Sequence, residues 1–322
     1  MESRIEILSE FGFSKDPFRG FYMETADSLR IKRLLKMAVE SKAMVSIVAP
    51  PGLGKTVAVD TAIRELSPIK LLTPDKERVL IGDIERALID TLSQESPKRT
   101  REIRARQLRR ILGEASRQKS IILVLEEAHR MHGQTLRSLK TLREFDWMGV
   151  YPLFTVVMIG QYDPMRKRGL DEVRLRTDTV TMKGITASEI KDYISATVDK
   201  HFDGDAIDAI SRLGDARNFL DLQEIIINLM SRAIEVGQKK VTVLEVFDLY
   251  GGGLKEVMRR TNVTLKEIED ATGISKTTLS MVASEKQGTL TDQKFIETRQ
   301  AIAEVLRKKA DGQSALKAVQ HG

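Results

Sequence analysis

The stretch Met44-Val-Ser-Ile-Val-Ala-Pro-Pro-Gly-Leu-Gly-Lys-Thr56 decides the fold. Its first five residues form a short apolar run, the shape of a strand buried on both faces of a parallel sheet. A turn with two glycines follows at once, and Thr56 to Glu65 then reads as a helix. Strand, glycine-rich loop and helix in this order make a phosphate cradle. Successive backbone N–H groups point into one concavity, and the helix N-terminus adds the positive end of its dipole. Gly52 and Gly54 let the backbone come close, Lys55 reaches the β- and γ-phosphates, and the Thr56 hydroxyl ligates Mg²⁺. The candidate phosphate-binding set is therefore Ala49, Pro50, Pro51, Gly52, Leu53, Gly54, Lys55, Thr56 and Val57. The usual pattern begins with glycine where this chain has Ala49, and alanine serves there if φ stays negative.

Working outward, Ile121-Ile-Leu-Val-Leu-Glu-Glu-Ala-His129 is the most apolar strand of the chain and ends in two carboxylates. The first, Glu126, is placed to support Mg²⁺ through water. The second, Glu127, is placed to polarise an attacking water as general base. Aspartate is usual at the first position. Mg²⁺ demands tight octahedral geometry, so the extra methylene of Glu126 predicts a looser metal and slow turnover. The plainer alternative is a strand end capped by two surface acids.

Further segments read as a helix over Leu29–Glu40, a strand over Ile69–Leu72, a helix over Ile84–Leu92, a basic helix over 97–119, a helix over Gln134–Phe145, a strand over Leu153–Ile159 and a short strand over Val180–Met182. Strands alternating with helices predict an α/β P-loop core, a parallel sheet flanked by helices. From Thr186 the pattern turns helical, over Ser188–Lys200, Asp205–Leu213, Phe219–Val236 and Leu244–Leu249. The expected organisation is an aromatic, turn-rich N-terminal arm over 1–30, the nucleotide-binding α/β domain over 31–185, a helical lid over 186–250, a glycine linker over 251–253, an all-α domain over 254–309 and a loose tail over 310–322.

Composition narrows the class. The chain has 322 residues, 41% hydrophobic and 30% charged, the balance of a globular protein. No run of 18 apolar residues occurs, so no membrane contact is expected, and no secretory signal is visible at the N-terminus. The absence of cysteine removes disulfides, thiolate catalysis and cysteine zinc sites, and fits a cytoplasmic location. The net charge of +6 favours an anionic partner mildly.

The phosphate loop, the Glu-Ala-His strand end and a polar residue after the next strand together resemble AAA+ ATPases. That resemblance implies ATP and Mg²⁺ as cofactors and hydrolysis of ATP to ADP and phosphate. It places Gln161 at the sensor 1 position, orienting water or γ-phosphate. Gly214-Asp-Ala-Arg-Asn-Phe219 resembles a sensor 2 motif, with Arg217 reaching the γ-phosphate from the helical lid. Arg174 and Arg176 fall where the family carries an arginine finger, which acts on ATP held by a neighbouring subunit and implies an oligomer. The alternative is that both only pair with surface acids.

Pro97 to Arg110 holds seven cations, Lys98, Arg99, Arg101, Arg104, Arg106, Arg109 and Arg110, against one acid, Glu102. Helical spacing sets Ile103, Leu108, Ile111 and Leu112 toward a core and leaves much of the arginine exposed. Such a surface suits the phosphates of double-stranded DNA, with steep salt dependence, and Arg137, Lys140 and Arg143, at i, i+3 and i+6, are expected to extend it along the helix after Glu127. A solvated helix face is the competing reading. Near the C-terminus, Thr264 to Val282 resembles the helix-turn-helix of phage repressors. Gly273 makes the turn, Ser275 caps the second helix, and Lys276, Thr277, Thr278 and Ser280 face a major groove. Glu269 departs from that pattern, standing where a small residue is usual.

Taken together, the chain resembles the ATPases of the Mu transposition protein B and TnsC family, which assist DNA transposition, with an ExeA-like arm at Gly12–Phe18. The resemblance implies ATP-dependent assembly on double-stranded DNA as a homo-oligomer or helical filament that marks target DNA and recruits or stimulates a transposase. A second reading is an ATP-switched transcription regulator or replication initiator binding one sequence through residues 254–306. A third, a secretion assembly factor, lacks the membrane segment and wall-binding domain it usually carries.

Overall fold

The computed structural model describes residues 3–72, 79–251, 255, 258, 259, 262–284, 290, 291, 293–295, 297–302, 304–306, 308 and 309. They divide into two compact units. One runs from Glu24 to Ile185, and the other joins the residues up to Met23 to those from Thr186 onward. Helix α1 (Arg4–Glu10) opens the chain and belongs to the second unit.

The first unit holds α2 (Ala26–Ser41), β1 (Met44–Val48), α3 (Lys55–Leu66), β2 (Ile69–Leu72), α4 (Ile81–Leu92), α5 (Arg101–Gln118), β3 (Ile121–Leu125), α6 (Gly133–Arg143), β4 (Thr155–Gly160), α7 (Asp171–Arg174) and β5 (Thr177–Thr181). All five strands are parallel, in the order β2-β3-β4-β1-β5. Successive side chains of β1, β3 and β4 alternate between two cores. Met44, Leu123 and Val156 enter the core built with α4, α5 and α6, whereas Val45, Val124 and Val157 enter the one built with α2 and α3. Covering both faces leaves these strands no solvent side, which is why they read as nearly continuous apolar runs, with Ser46 and Thr155 buried among the apolar residues. The chain leaves β1 for the far edge at β2, returns through β3 to β4 beside β1, and ends at β5 on the other side. This reversal opens a crevice at the carboxyl ends of the central strands.

Helix α5 departs from expectation. It begins at Arg101, and Ile103 is 53% exposed rather than packed. The buried stripe is Arg104, Gln107, Leu108, Ile111 and Leu112, the i, i+3, i+4, i+7, i+8 pattern of one helix face. The N-terminal arm also departs, because α1 occupies part of it. Ser3 and Glu6 form a capping box there, with the Ser3 N–H donating to Glu6 at 2.6 Å and the Glu6 N–H to the Ser3 hydroxyl at 3.3 Å. Among the described residues, no helix is long and apolar enough to cross a membrane.

The second unit is helical: α1 with α8 (Ala187–Val198), α9 (Gly204–Ile210), α10 (Phe219–Glu235), α11 (Val243–Tyr250), α12 (Leu265–Thr272) and α13 (Lys276–Ala283). Helix α1 lies on α10, where Arg4 donates to the Gln223 amide oxygen at 3.1 Å. Gly273, at φ +70°, turns the chain between α12 and α13, and the Ser275 hydroxyl caps α13. Ile268, Leu279, Val282, Ile302 and Leu306 share one apolar cluster. The carboxylate of Glu269 accepts the Lys276 backbone N–H at 2.9 Å, so it satisfies an open donor at the start of α13 instead of packing between helices. Gly252 and Gly253 of the expected linker, part of 254–309 and the tail from 310 lie outside the described residues.

Candidate active site

The chain turns immediately after β1. Gly52 and Gly54 adopt φ of +85° and +76°, a region that costs an L side chain about 1–2 kcal/mol, so the loop needs glycine at both. Gly54 leads into α3, whose first two residues are Lys55 and Thr56. Ala49 is not among the residues with positive φ, and its methyl group is buried in the core beside α2 and α3. The Ala49 N–H donates to the Gly160 carbonyl at 3.1 Å, tying the loop to the end of β4. Leu53 is buried beneath the loop, while Pro50, Pro51, Thr56 and Val57 are exposed. The Lys55 ammonium donates to the carbonyls of Ala49 at 2.7 Å and Pro50 at 2.8 Å. Burial lowers its pKa, and the charge of Glu127 works in the opposite direction.

Strand β3 delivers the two acids. Glu126 is exposed, and Glu127 is half-buried with its backbone left-handed, at φ +48° and ψ +34°. A glutamate held there stores about 1–3 kcal/mol of strain, of the kind that collects at functional sites. One Glu127 carboxylate oxygen lies 3.3 Å from Arg130 Nε and 3.7 Å from His129 Nε2. Strand β4 lies between β1 and β3 and ends at Gly160, so Gln161 enters the same crevice from the middle. The loop Ala49–Thr56, the two acids and Gln161 thus gather at the carboxyl ends of three neighbouring strands. Thr56 and Glu126 offer hard oxygen donors there, a set that fits Mg²⁺ held jointly with phosphate oxygens and water.

The arginines sit elsewhere. Met44 at the start of β1 is in register with Thr177 at the start of β5, so Arg174 and Arg176 lie at the amino ends of the strands. Five residues of strand separate them from the phosphate loop by roughly 16 Å. Arg174 pairs with Asp171 and Arg176 with Glu144, each at 3.1 Å. Exposed pairs of this kind contribute about 0–1 kcal/mol, so either arginine can exchange its partner for another anion. Arg217 is exposed on a short 3-10 turn, Asp215–Arg217, of the second unit.

The basic segment is sorted by its surroundings. Arg104 is 7% exposed and is not a surface cation. Its Nε donates to Glu85 of α4 at 2.8 Å, and another nitrogen donates to the carbonyls of Lys98 and Arg99, both at 3.1 Å. The reason is phase: residue 104 falls on the same face as 107, 108 and 111, and Glu85 supplies the buried counter-charge. Gln107 adds to the clamp by accepting the Lys98 N–H at 3.0 Å. Together they pin the loop before α5 while Lys98, Arg99, Arg101 and Arg106 stay exposed. Arg109 lies over the Phe145 ring at 5.2 Å. Arg110 pairs with Glu95 and Glu114 and thereby holds the Glu95 carboxyl below its ordinary range. Arg137 is exposed, but Lys140 is half-buried and engaged by Glu172 and Glu144, and Arg143 is half-buried and donates to the Lys42 carbonyl at 2.5 Å, which removes both from the expected free surface. On α13, Lys276 and Thr277 are exposed, whereas Thr278 and Ser280 are half-buried and the Thr278 hydroxyl bonds that of Ser275 at 3.0 Å.

Residues 38–168 match the family model described as AAA domain. The structure is similar to that of Cdc6p from Pyrobaculum aerophilum, with a TM-score of 0.51 and 15% identity, over 94% of this chain and 88% of that one. It is similar to Drosophila ORC bound to DNA at the same TM-score of 0.51 and 15% identity, over 100% of this chain and 84% of that one. Likeness at this level of identity speaks of fold and leaves function to the site. No curated protein matches the chain significantly. The chain has the AAA+ P-loop fold, a parallel five-stranded sheet flanked by helices with a helical region after it.

Proposed function

We propose that this chain is an ATP-dependent, DNA-binding AAA+ ATPase that assembles on double-stranded DNA, selects target DNA and recruits or stimulates a transposase. The observation that carries the DNA reading is the clamp at Arg104. A buried arginine and glutamine hold a loop so that Lys98 and Arg99 project from it and Arg101 and Arg106 from the helix behind. A cationic face of this kind touches phosphates and ignores bases, which suits sequence-independent assembly. The Drosophila ORC structure, similar in fold, is itself bound to DNA. The transposase partner rests on the sequence resemblance.

In this reading the loop N–H groups and Lys55 bind the triphosphate, and Glu127 accepts the proton of the attacking water while Gln161 orients it. Mg²⁺, held by Thr56 and Glu126, would neutralise charge on the β- and γ-oxygens. Arg174 or Arg176 would serve the nucleotide of a neighbouring copy.

The second reading, a replication initiator or sequence-specific regulator, is favoured by the pair α12 and α13, which leaves Lys276 and Thr277 exposed. Electron microscopy with random-sequence duplex DNA, in ATP, in ADP and without nucleotide, separates the two. Continuous filaments that need ATP are expected. Isolated particles at rare positions, or rings without DNA, would transfer the assignment to the initiator reading. Lys55→Ala is expected to abolish both nucleotide binding and assembly.

A further inference from the structure

We propose that His129 is a positioning residue that transmits the position of Gln161 to the carboxylate of Glu127; this rests on the ATPase reading above. His129 lies on the 3-10 turn Ala128–Arg130, two residues beyond Glu127, and its side chain is 12% exposed. Its Nδ1 accepts the Gln161 backbone N–H at 3.3 Å. An accepting Nδ1 leaves the proton of the neutral ring on Nε2. That nitrogen faces Glu127 Oε2 at 3.7 Å, just beyond hydrogen-bond length. One ring therefore touches, through its two nitrogens, the end of β4 and the acid at the end of β3.

The ring has little freedom. Tyr162 meets it edge to face, with centroids 5.8 Å apart. A Cβ on Gly160 would stand 3.4 Å from Nδ1 and 3.0 Å from the Tyr162 carbonyl oxygen, so glycine keeps this space open. The left-handed backbone of Glu127 fixes where its side chain starts, leaving rotation as the route by which its carboxylate moves. The competing partner, Arg130, has a side chain 71% exposed and holds the carboxylate weakly. When Gln161 shifts toward a γ-phosphate, its N–H draws the ring, and the Nε2–H takes one Glu127 oxygen from Arg130. The other oxygen is then directed to accept a proton from water.

The test uses the full chain and three variants. Asparagine can place an acceptor near the Nδ1 position and cannot reach Glu127, glutamine reaches toward Glu127 and loses that acceptor, and alanine does neither. His129→Ala is expected to lose roughly ten- to a hundredfold in kcat with its ATP dissociation constant unchanged. His129→Asn is expected to restore the Gln161 amide resonance without restoring the rate, and His129→Gln to recover part of the rate without the resonance. Rates within about twofold of the parent for His129→Ala, or full recovery of rate in His129→Asn, would overturn the proposal. Independently of hydrolysis, a nonhydrolysable ATP analogue should move the Gln161 amide and the His129 ring ¹⁵N signals together, and movement of one alone also overturns it. Absent hydrolysis in the parent chain, or normal hydrolysis by Glu127→Gln, would instead count against the ATPase reading, leaving the paired NMR signals to judge His129.

Discussion

The two ends of the five-stranded sheet carry different chemistry. At the carboxyl ends lie the glycine loop, Lys55, the acids Glu126 and Glu127, and Gln161. At the amino ends lie Arg174 and Arg176, resting on surface carboxylates. A parallel sheet aligns all its strands, so every strand-to-helix loop opens on one side and whatever precedes the strands is left on the other. The difference teaches that the arginines of one chain cannot complete that chain's own crevice. In the proposed reading the two sets would combine between copies, which would give an oligomer a chemical purpose.

The comparison breaks most sharply at the arginines. If one of them serves a neighbour's nucleotide, Arg174→Ala or Arg176→Ala should lower ATP turnover of the assembled protein by about a thousandfold or more, without weakening nucleotide binding. Mixing that variant with Glu127→Gln subunits, which still bind ATP and assemble, should recover activity, since each supplies what the other lacks. No recovery on mixing would confine the arginines to their surface pairs. At the opposite end, Glu127→Gln should keep ATP affinity and reduce turnover by about 10²- to 10⁴-fold, trapping the assembled state. Rapid turnover in single-turnover assays of that variant would move the base elsewhere.

Helix α5 sharpens the lesson with two arginines only two residues apart. Arg104→Ala leaves Glu85 buried without a counter-charge and should destabilise the fold by about 3–5 kcal/mol in denaturant titrations. Arg106→Ala should change stability by no more than about 0.5 kcal/mol. Equal effects would show that the buried pair contributes nothing special. The smallest effect concerns binding: replacing Arg99, Arg101 and Arg106 by glutamine should reduce the salt slope of duplex binding by about 0.9 per lost phosphate contact. An unchanged slope measured by fluorescence anisotropy would return this face to plain solvation.

What the sequence disclosed follows from what is local. The loop from Ala49 to Thr56 and the strand ending in Glu126 and Glu127 are contiguous, so their chemistry is written in neighbouring letters. Arg104 was harder because Ile103 is the more apolar residue, yet phase outranks hydropathy. Position 104 shares a face with 108 and 111, and a polar residue on such a stripe calls for a buried partner. Helix α1 lies where the sequence reading expects a turn-rich arm, although Ser3 followed three residues later by Glu6 is the capping-box spacing that marks a helix start. His129 shows the limit of local reading. Its contact with Gln161 exists only because β3 and β4 pair, a fact about residues 32 positions apart.

The left-handed backbone of Glu127 has a consequence for how this protein would drift under selection for robustness alone. Glycine or asparagine fits that conformation with less strain, so either substitution should make the isolated core harder to melt while removing the carboxylate. A screen that rewarded thermal resistance without rewarding turnover would discard the acid early. Under the proposed reading, a glutamate at a place where the backbone favours smaller residues exchanges some stability for a carboxylate beside the phosphate loop.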